Sequence, residues 1–436
     1  MTNKPTAKFA RCPLKPARLA TLVLPWLLPF GGQAEDWPQW RGPNRDGVWS
    51  ETETCQTFPS NKLAIRWRAP VGYGFSSPVV ARGRVCVTDS QLDKPNARER
   101  ILCFEEATGR PLWTYSHDVS FPEWAFTPGQ EKGPNATPII RDGKVYVLGC
   151  LGHLFCLDAR KGGVLWKKDL AKEYGFDPLQ TTSASPLIEG KLLIVLLGGK
   201  PCVLAVDRNT GKEVWKALDE SAAHSSPIVI KADGARQLVV WTQQSVSGLD
   251  PETGKVQWRE QLPTLSDYSV ATPVFSNGRL LLSGLMLKLD GDKPAAAVLW
   301  PEARSPTRRV LSNTSTPLLC DDCVFSAKSS GELVCLEAAT GKTLWETNTV
   351  TDLRGGASIH LTVNGDSVLL FNNRGELIRG QLTARGYHEI SRAALLEPTY
   401  PFGGRNVAWA APAYANRHVF ARSEKELVCA SLAATR

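Results

Sequence analysis

Signatures of reactive chemistry are scarce in this 436-residue chain. It has no Gly-x-x-x-x-Gly-Lys-Ser/Thr loop to cradle phosphates and no Gly-x-Ser-x-Gly elbow, so nucleotide-binding and serine-hydrolase classes have no support. The six histidines, His117, His153, His224, His360, His388 and His418, never fall at His-x-His or His-x-x-x-His spacing, and a structural role is expected for each. No Cys-x-x-Cys-His occurs, which removes a covalent c-type haem. Lys/Arg clusters with interleaved aromatics are also missing, so no nucleic-acid partner is expected.

Long apolar runs are equally rare. The longest, Leu19 to Phe30, follows Lys4, Lys8, Arg11, Lys15 and Arg18 and precedes Gly32-Gln33-Ala34, the order of a secretory signal peptide cleaved after Ala34. A signal anchor is the alternative, but the run falls short of the ~20 residues of a bilayer span and contains Pro25 and Pro29. Residues 1–34 carry five cations and no acid, so their removal lowers the formal charge from +8 to +3. A periplasmic or secreted protein with no membrane span after cleavage is expected, and a monomer.

Repetition is abundant. Five times an acid is followed by Thr-Gly or its equivalent and, eight residues on, by tryptophan: Glu105 to Trp113, Asp158 to Trp166, Asp207 to Trp215, Asp250 to Trp258 and Glu337 to Trp345. A second landmark, two small residues and proline, opens each unit, as in Ser76-Ser77-Pro78 and Ala136-Thr137-Pro138. It recurs to Ala410-Ala411-Pro412, with Ala357-Ser358-Ile359 as a degenerate copy. Eight openings with strand-like flanks predict an all-β, eight-bladed β-propeller of four-stranded antiparallel blades over residues 61–436, preceded by a Trp-rich segment, 35–60. The three tryptophans within Trp37 to Trp49 are expected to pack on the propeller's outside.

Each acid is expected to accept hydrogen bonds from its own turn, each Gly to take the left-handed conformation, and each Trp to wedge between blades. Trp67, Trp113, Trp166, Trp215, Trp258, Trp300 and Trp345 then mark fourth strands, with Tyr387 in a degenerate eighth. Trp67 comes before the first opening, whereas the last unit ends after three strands. Pairing the two closes the ring and removes two exposed sheet edges.

Ten cysteines follow Ala34. Cys103, Cys156, Cys335 and Cys429 share one repeat position that Ala205 and Gly248 also fill, which indicates a demand for small volume rather than for a bond. Cys320 and Cys323 bracket a hairpin turn, as do Cys150 and Cys156, and each pair reads either as a disulfide or as two thiols.

The repeat also locates positions that do not repeat. The residue before each opening should face the channel mouth: Phe75, Asn135, Ser183, His224, Val270, Thr314, Gly356 and Trp409. Nearby loops add Ser266-Asp267-Tyr268, Asp352-Leu353-Arg354 and Gly403-Gly404-Arg405-Asn406. Such variation on a fixed scaffold is how a repeat fold acquires a ligand site, although ordinary inter-blade loop residues are the plainer reading.

Together the landmarks resemble the pyrroloquinoline-quinone (PQQ) type propeller repeat of quinoprotein dehydrogenases and of BamB-like outer-membrane assembly proteins. Asp36-Trp37-Pro38-Gln39-Trp40-Arg41-Gly42-Pro43-Asn44 and Gly133-Pro134-Asn135-Ala136-Thr137-Pro138 resemble a secreted group common in planctomycetes. The resemblance implies the fold and export more strongly than an activity. Quinoprotein dehydrogenases resemble one another in an adjacent Cys-Cys disulfide over the quinone, and this chain has no adjacent cysteines. The expectation is therefore a non-catalytic envelope scaffold without cofactor, binding a protein, peptide or glycan. The alternative is a dehydrogenase using PQQ and Ca²⁺, with Asp267 or Asp352 as base.

Overall fold

A computed structural model describes residues 35–178, 182–232, 234–262, 270–289, 295–300, 311–312, 314–320 and 322–434. Eight four-stranded antiparallel sheets form the blades of a β-propeller. Blade 1 comprises Val79–Ala81, Arg84–Asp93, Asn96–Glu105 and Pro111–Val119. Blades 2 to 7 follow over 139–169, 187–217, 228–261, 274–300, 318–347 and 359–394. Blade 8 takes three strands from the C-terminus and its outer strand, Ile65–Pro70, from the N-terminal side. Among the described residues no helix is long and apolar enough to cross a membrane.

The acid-to-Trp segment works as a junction between blades. Asp207 Oδ1 accepts from the amides of Asn209 and Thr210 at 3.0 and 2.9 Å, and Asp158 and Asp250 hold their turns in the same way. Each turn glycine then lies against the indole of the preceding blade. A Cβ on Gly109 would approach Trp67 to 2.6 Å, and one on Gly162, Gly211, Gly254 or Gly341 would approach Trp113, Trp166, Trp215 or Trp300 to 2.4–2.8 Å. The indole N–H of Trp67, Trp113, Trp166 and Trp300 donates to the carbonyl just after the acid of that next turn, at 2.7 to 3.2 Å. Trp258 instead donates to Gln237 within its own blade, at 2.6 Å.

A second belt circles the channel. Ser77 N donates to Thr137 Oγ1, Thr137 N to Ser185 Oγ, Ser185 N to Ser226 Oγ and Thr272 N to Thr316 Oγ1, at 3.0 to 3.1 Å. The small residues of the opening landmark thus satisfy buried backbone donors of the neighbouring blade, which size alone would not require.

The three tryptophans of the N-terminal segment do not pack on the outside. Trp37 exchanges backbone hydrogen bonds with Val80, Ile140 N donates to Pro38 O, and Trp49 N donates to Val363 O, each at 2.8 Å. Trp40 Nε1 donates to Thr272 Oγ1 at 2.8 Å and Arg45 Nη1 to Pro186 O at 2.7 Å. These partners lie on the innermost strands or at their entries, in blades 1, 2, 3, 5 and 7, so the segment occupies the channel from the end where those strands finish. Trp37 and Trp49 are buried against Tyr414 of blade 8, with ring centroids 5.6 and 5.4 Å from it. The expectation failed because an irregular segment has no period to report which way its side chains face.

Candidate ligand face

The inner strands begin at the other end of the channel, and there the eight non-repeating positions gather. Seven are partly exposed and Thr314 is exposed, whereas the small residues that follow them are buried except Ala411. Neighbours in the ring touch: Asn135 Nδ2 donates to Ser183 Oγ at 3.1 Å, Trp409 Nε1 donates to Gly356 O at 2.8 Å, and the Phe75 and Trp409 rings lie 5.6 Å apart.

This mouth has two unlike halves. On the side of blades 7, 8 and 1, a short hairpin, Tyr400–Phe402 with Arg405–Val407, folds over the rim. Tyr400 packs 5.0 Å from Phe75, and Phe402 packs 4.7 Å from Trp409, both edge-on. Tyr400 Oη also donates to Gly129 O at 2.7 Å, which ties the hairpin to the loop between blades 1 and 2. Its removal from water, near Glu131 and Glu424, pushes the phenol up to about 12, so it remains a donor. The opposite half carries Asn135, Ser183, His224 and Thr314. Sequence patterns located both halves of the rim but gave no sign of the hairpin's aromatic stack, since Tyr400 and Phe402 lie in no repeat.

Of the two carboxylates expected as bases under the dehydrogenase reading, Asp267 lies outside the described residues. Asp352 sits between two guanidiniums, 3.5 Å from Arg374 Nη1 and 3.8 Å from Arg405 Nε. Arg405 also donates to Gly355 O at 3.1 Å, while Arg354 and Asn406 are exposed beside it.

Below the mouth, the N-terminal segment leaves a cavity of about 20 Å³, room for roughly one water, lined by Trp40, Arg41, Ser77, Thr316 and His360. Burial lowers Arg41 to about 10, and burial followed by the Arg41 charge lowers Arg45 to about 9. His360 bonds Trp409 O at 2.8 Å. Loss of water and the nearby Arg41 together hold its imidazole down to about 4, against the partial support of that bond. The channel floor is therefore cationic.

Cys103, Cys156, Cys335 and Cys429 are buried thiols, in keeping with the small-volume reading. Cys320 and Cys323 are register partners across their hairpin. Cys150 and Cys156 do not pair: Cys150 Sγ donates to Glu99 Oε1 at 2.6 Å. That contact belongs to a cluster the sequence did not announce, because Glu99, His117 and His153 meet only across two blades.

Sheet count, junction tryptophans and ring closure define a PQQ-like repeat propeller. A family model described as outer membrane protein assembly factor BamB matches residues 62–200, 97–286 and 200–394, and the chain belongs to that family. It is 25% identical to the outer membrane protein assembly factor BamB of Shewanella oneidensis over 52% of this chain and 61% of that protein. It is 27% identical to the quinoprotein alcohol dehydrogenase PedH of Pseudomonas putida over 38% of this chain and 29% of that protein. The chain thus covers less than two thirds of either relative. In structure it resembles BamB from Moraxella catarrhalis, with a TM-score of 0.59 at 18% identity over 86% of this chain and 99% of that one. It also resembles quinohemoprotein alcohol dehydrogenase from Comamonas testosteroni, with a TM-score of 0.64 at 15% identity over 92% and 81%. At these identities the structural likeness concerns the fold alone.

Proposed function

We propose that this protein is an exported, non-catalytic propeller that binds an envelope protein or peptide through the face carrying Phe75, Tyr400, Phe402 and Trp409. One observation carries the reading: the chain's own N-terminal segment fills one end of the channel, while the other end presents a partly exposed aromatic stack beside amide, hydroxyl and guanidinium groups. Rigid aromatic anchors flanked by polar groups are the composition of energetic hot spots in binding surfaces. Arg354, Arg405 and Asn406 at the rim supply donors for a partner's carbonyls or carboxylates.

The quinone reading draws on relatives such as PedH. The described residues do not fit that group. No adjacent cysteines exist to cover a quinone, and Asp352 is engaged by Arg374 and Arg405.

Capture from an envelope extract with the mature chain, compared with a Phe402→Ala/Trp409→Ala variant, tests the reading. Loss of one defined protein partner in the variant is the expected result. Equal capture by both forms would count against it, as would a glycan as the sole ligand.

A further inference from the structure

Blade 1 differs from its neighbours in length: its second and third strands run ten residues each and its fourth nine, whereas the same strands of blades 2 and 3 run five or six. The extension sets a row across the sheet. Tyr73 bridges Ser90, Ser90 is the register partner of Glu99, and Glu99 is the register partner of His117. His153 opens the third strand of blade 2, and its ring stands 4.9 Å from that of His117 at 71°.

The polar atoms of this cluster are poorly satisfied. Glu99 is 2% exposed, and its Oε1 accepts from Cys150 N at 2.9 Å and from Cys150 Sγ at 2.6 Å. Its Oε2 has no hydrogen-bond partner, although His117 Nε2 lies 3.3 Å away without hydrogen-bond alignment. Both ring nitrogens of His117 and Nδ1 of His153 are likewise buried without a partner. Buried carboxylate and imidazole atoms left unpaired are costly, so a missing common partner is the economical explanation. Backbone geometry supports the arrangement, since a Cβ on Gly149 would stand 2.4 Å from the same Glu99 Oε2 and displace it.

We propose that Glu99, His117 and His153 bind a divalent transition-metal ion of the zinc class at the junction of blades 1 and 2. One ligand atom from each of the three residues falls within 4.8 Å of the others. Tetrahedral zinc with bonds of about 2.0 Å places its ligands ~3.3 Å apart, which is the His117–Glu99 separation, and the remaining edges need only modest closure. Two imidazoles and a carboxylate suit zinc and its neighbours, whereas Ca²⁺ requires six to eight oxygens and finds one acidic side chain here. A water completes four-coordination. Part of the His117 side chain, 17% exposed, leaves a route for entry.

Titration of the chelator-stripped full chain with Zn²⁺, followed by calorimetry and by thermal unfolding, tests this site. Binding of one equivalent with a rise in Tm is expected. Glu99→Gln and His153→Gln should each weaken binding beyond the roughly 10–100-fold that loss of a supporting group costs, while His388→Gln, an exposed histidine on blade 7, should leave it unchanged. If Glu99→Gln fails to fold, His153→Gln carries the same comparison. With Co²⁺ as the probe, the intense visible bands of a four-coordinate site should appear in the wild type and vanish in His153→Gln. Absence of binding by the wild type, or binding by Glu99→Gln and His153→Gln as tight as by the wild type, would overturn the proposal.

Discussion

Trp67 is the register partner of Cys429, and through that pair the N-terminal strand completes the blade begun by the C-terminal end. The same Trp67 donates to Glu106 O of blade 1 at 2.7 Å, so one side chain fastens blade 8 within itself and to its neighbour. Trp67→Ala should cost about 3–5 kcal/mol in a denaturant melt, the range for a buried tryptophan. Leu165→Ala, at a side chain 51% exposed on blade 2, should stay within about 0.5 kcal/mol. Deleting residues 423–436 removes the partner strand altogether and should abolish the cooperative transition.

Turn glycines separate two causes of strain. Gly109 and Gly143 both have positive φ, +71° and +75°, but a Cβ on Gly109 meets the Trp67 indole while one on Gly143 meets nothing within 4 Å. Gly143→Ala should therefore show the backbone cost alone, about 1 kcal/mol. Gly109→Ala should add an overpacking cost of about 1–3 kcal/mol, and equal losses in equilibrium unfolding would refute the indole contact.

His360 gives the channel a pH signature. Its imidazole is held down to about 4 in the fold, against an ordinary value near 6.5 in the unfolded chain. Between those values the unfolded state binds the extra proton, so stability is full above about 6.5 and declines as pH falls toward 4, with a slope of at most about 1.4 kcal/mol per pH unit. His360→Gln should flatten that limb of the stability profile.

Adding PQQ with Ca²⁺ should leave the melting temperature unchanged and support no dye reduction with alcohols. The lack of adjacent cysteines and the ion-paired Asp352 are the grounds for this expectation. A saturable rise in Tm would contradict it.

How much of this was legible depends on whether a feature repeats. Trp113, Gly162 and Asp158 recur at fixed spacing, so blade number, turn chemistry and the pairing of Trp67 with the last unit could be read from the chain. Phe75 and Trp409 could be located as exceptions to the same ruler. Trp37 to Arg45 could not, because their direction is set by the channel they enter rather than by any local pattern. Glu99, His117 and His153 are separated along the chain and meet through a strand extension that only sheet register reveals.

Site-specific photocrosslinking compares the two kinds of surface directly. A photoreactive residue at Phe402, on the open face and 38% exposed, should capture a defined envelope protein or peptide, and one at Leu165, on the outer strand of blade 2, should not. Crosslinks from Leu165 with none from Phe402 would contradict the account.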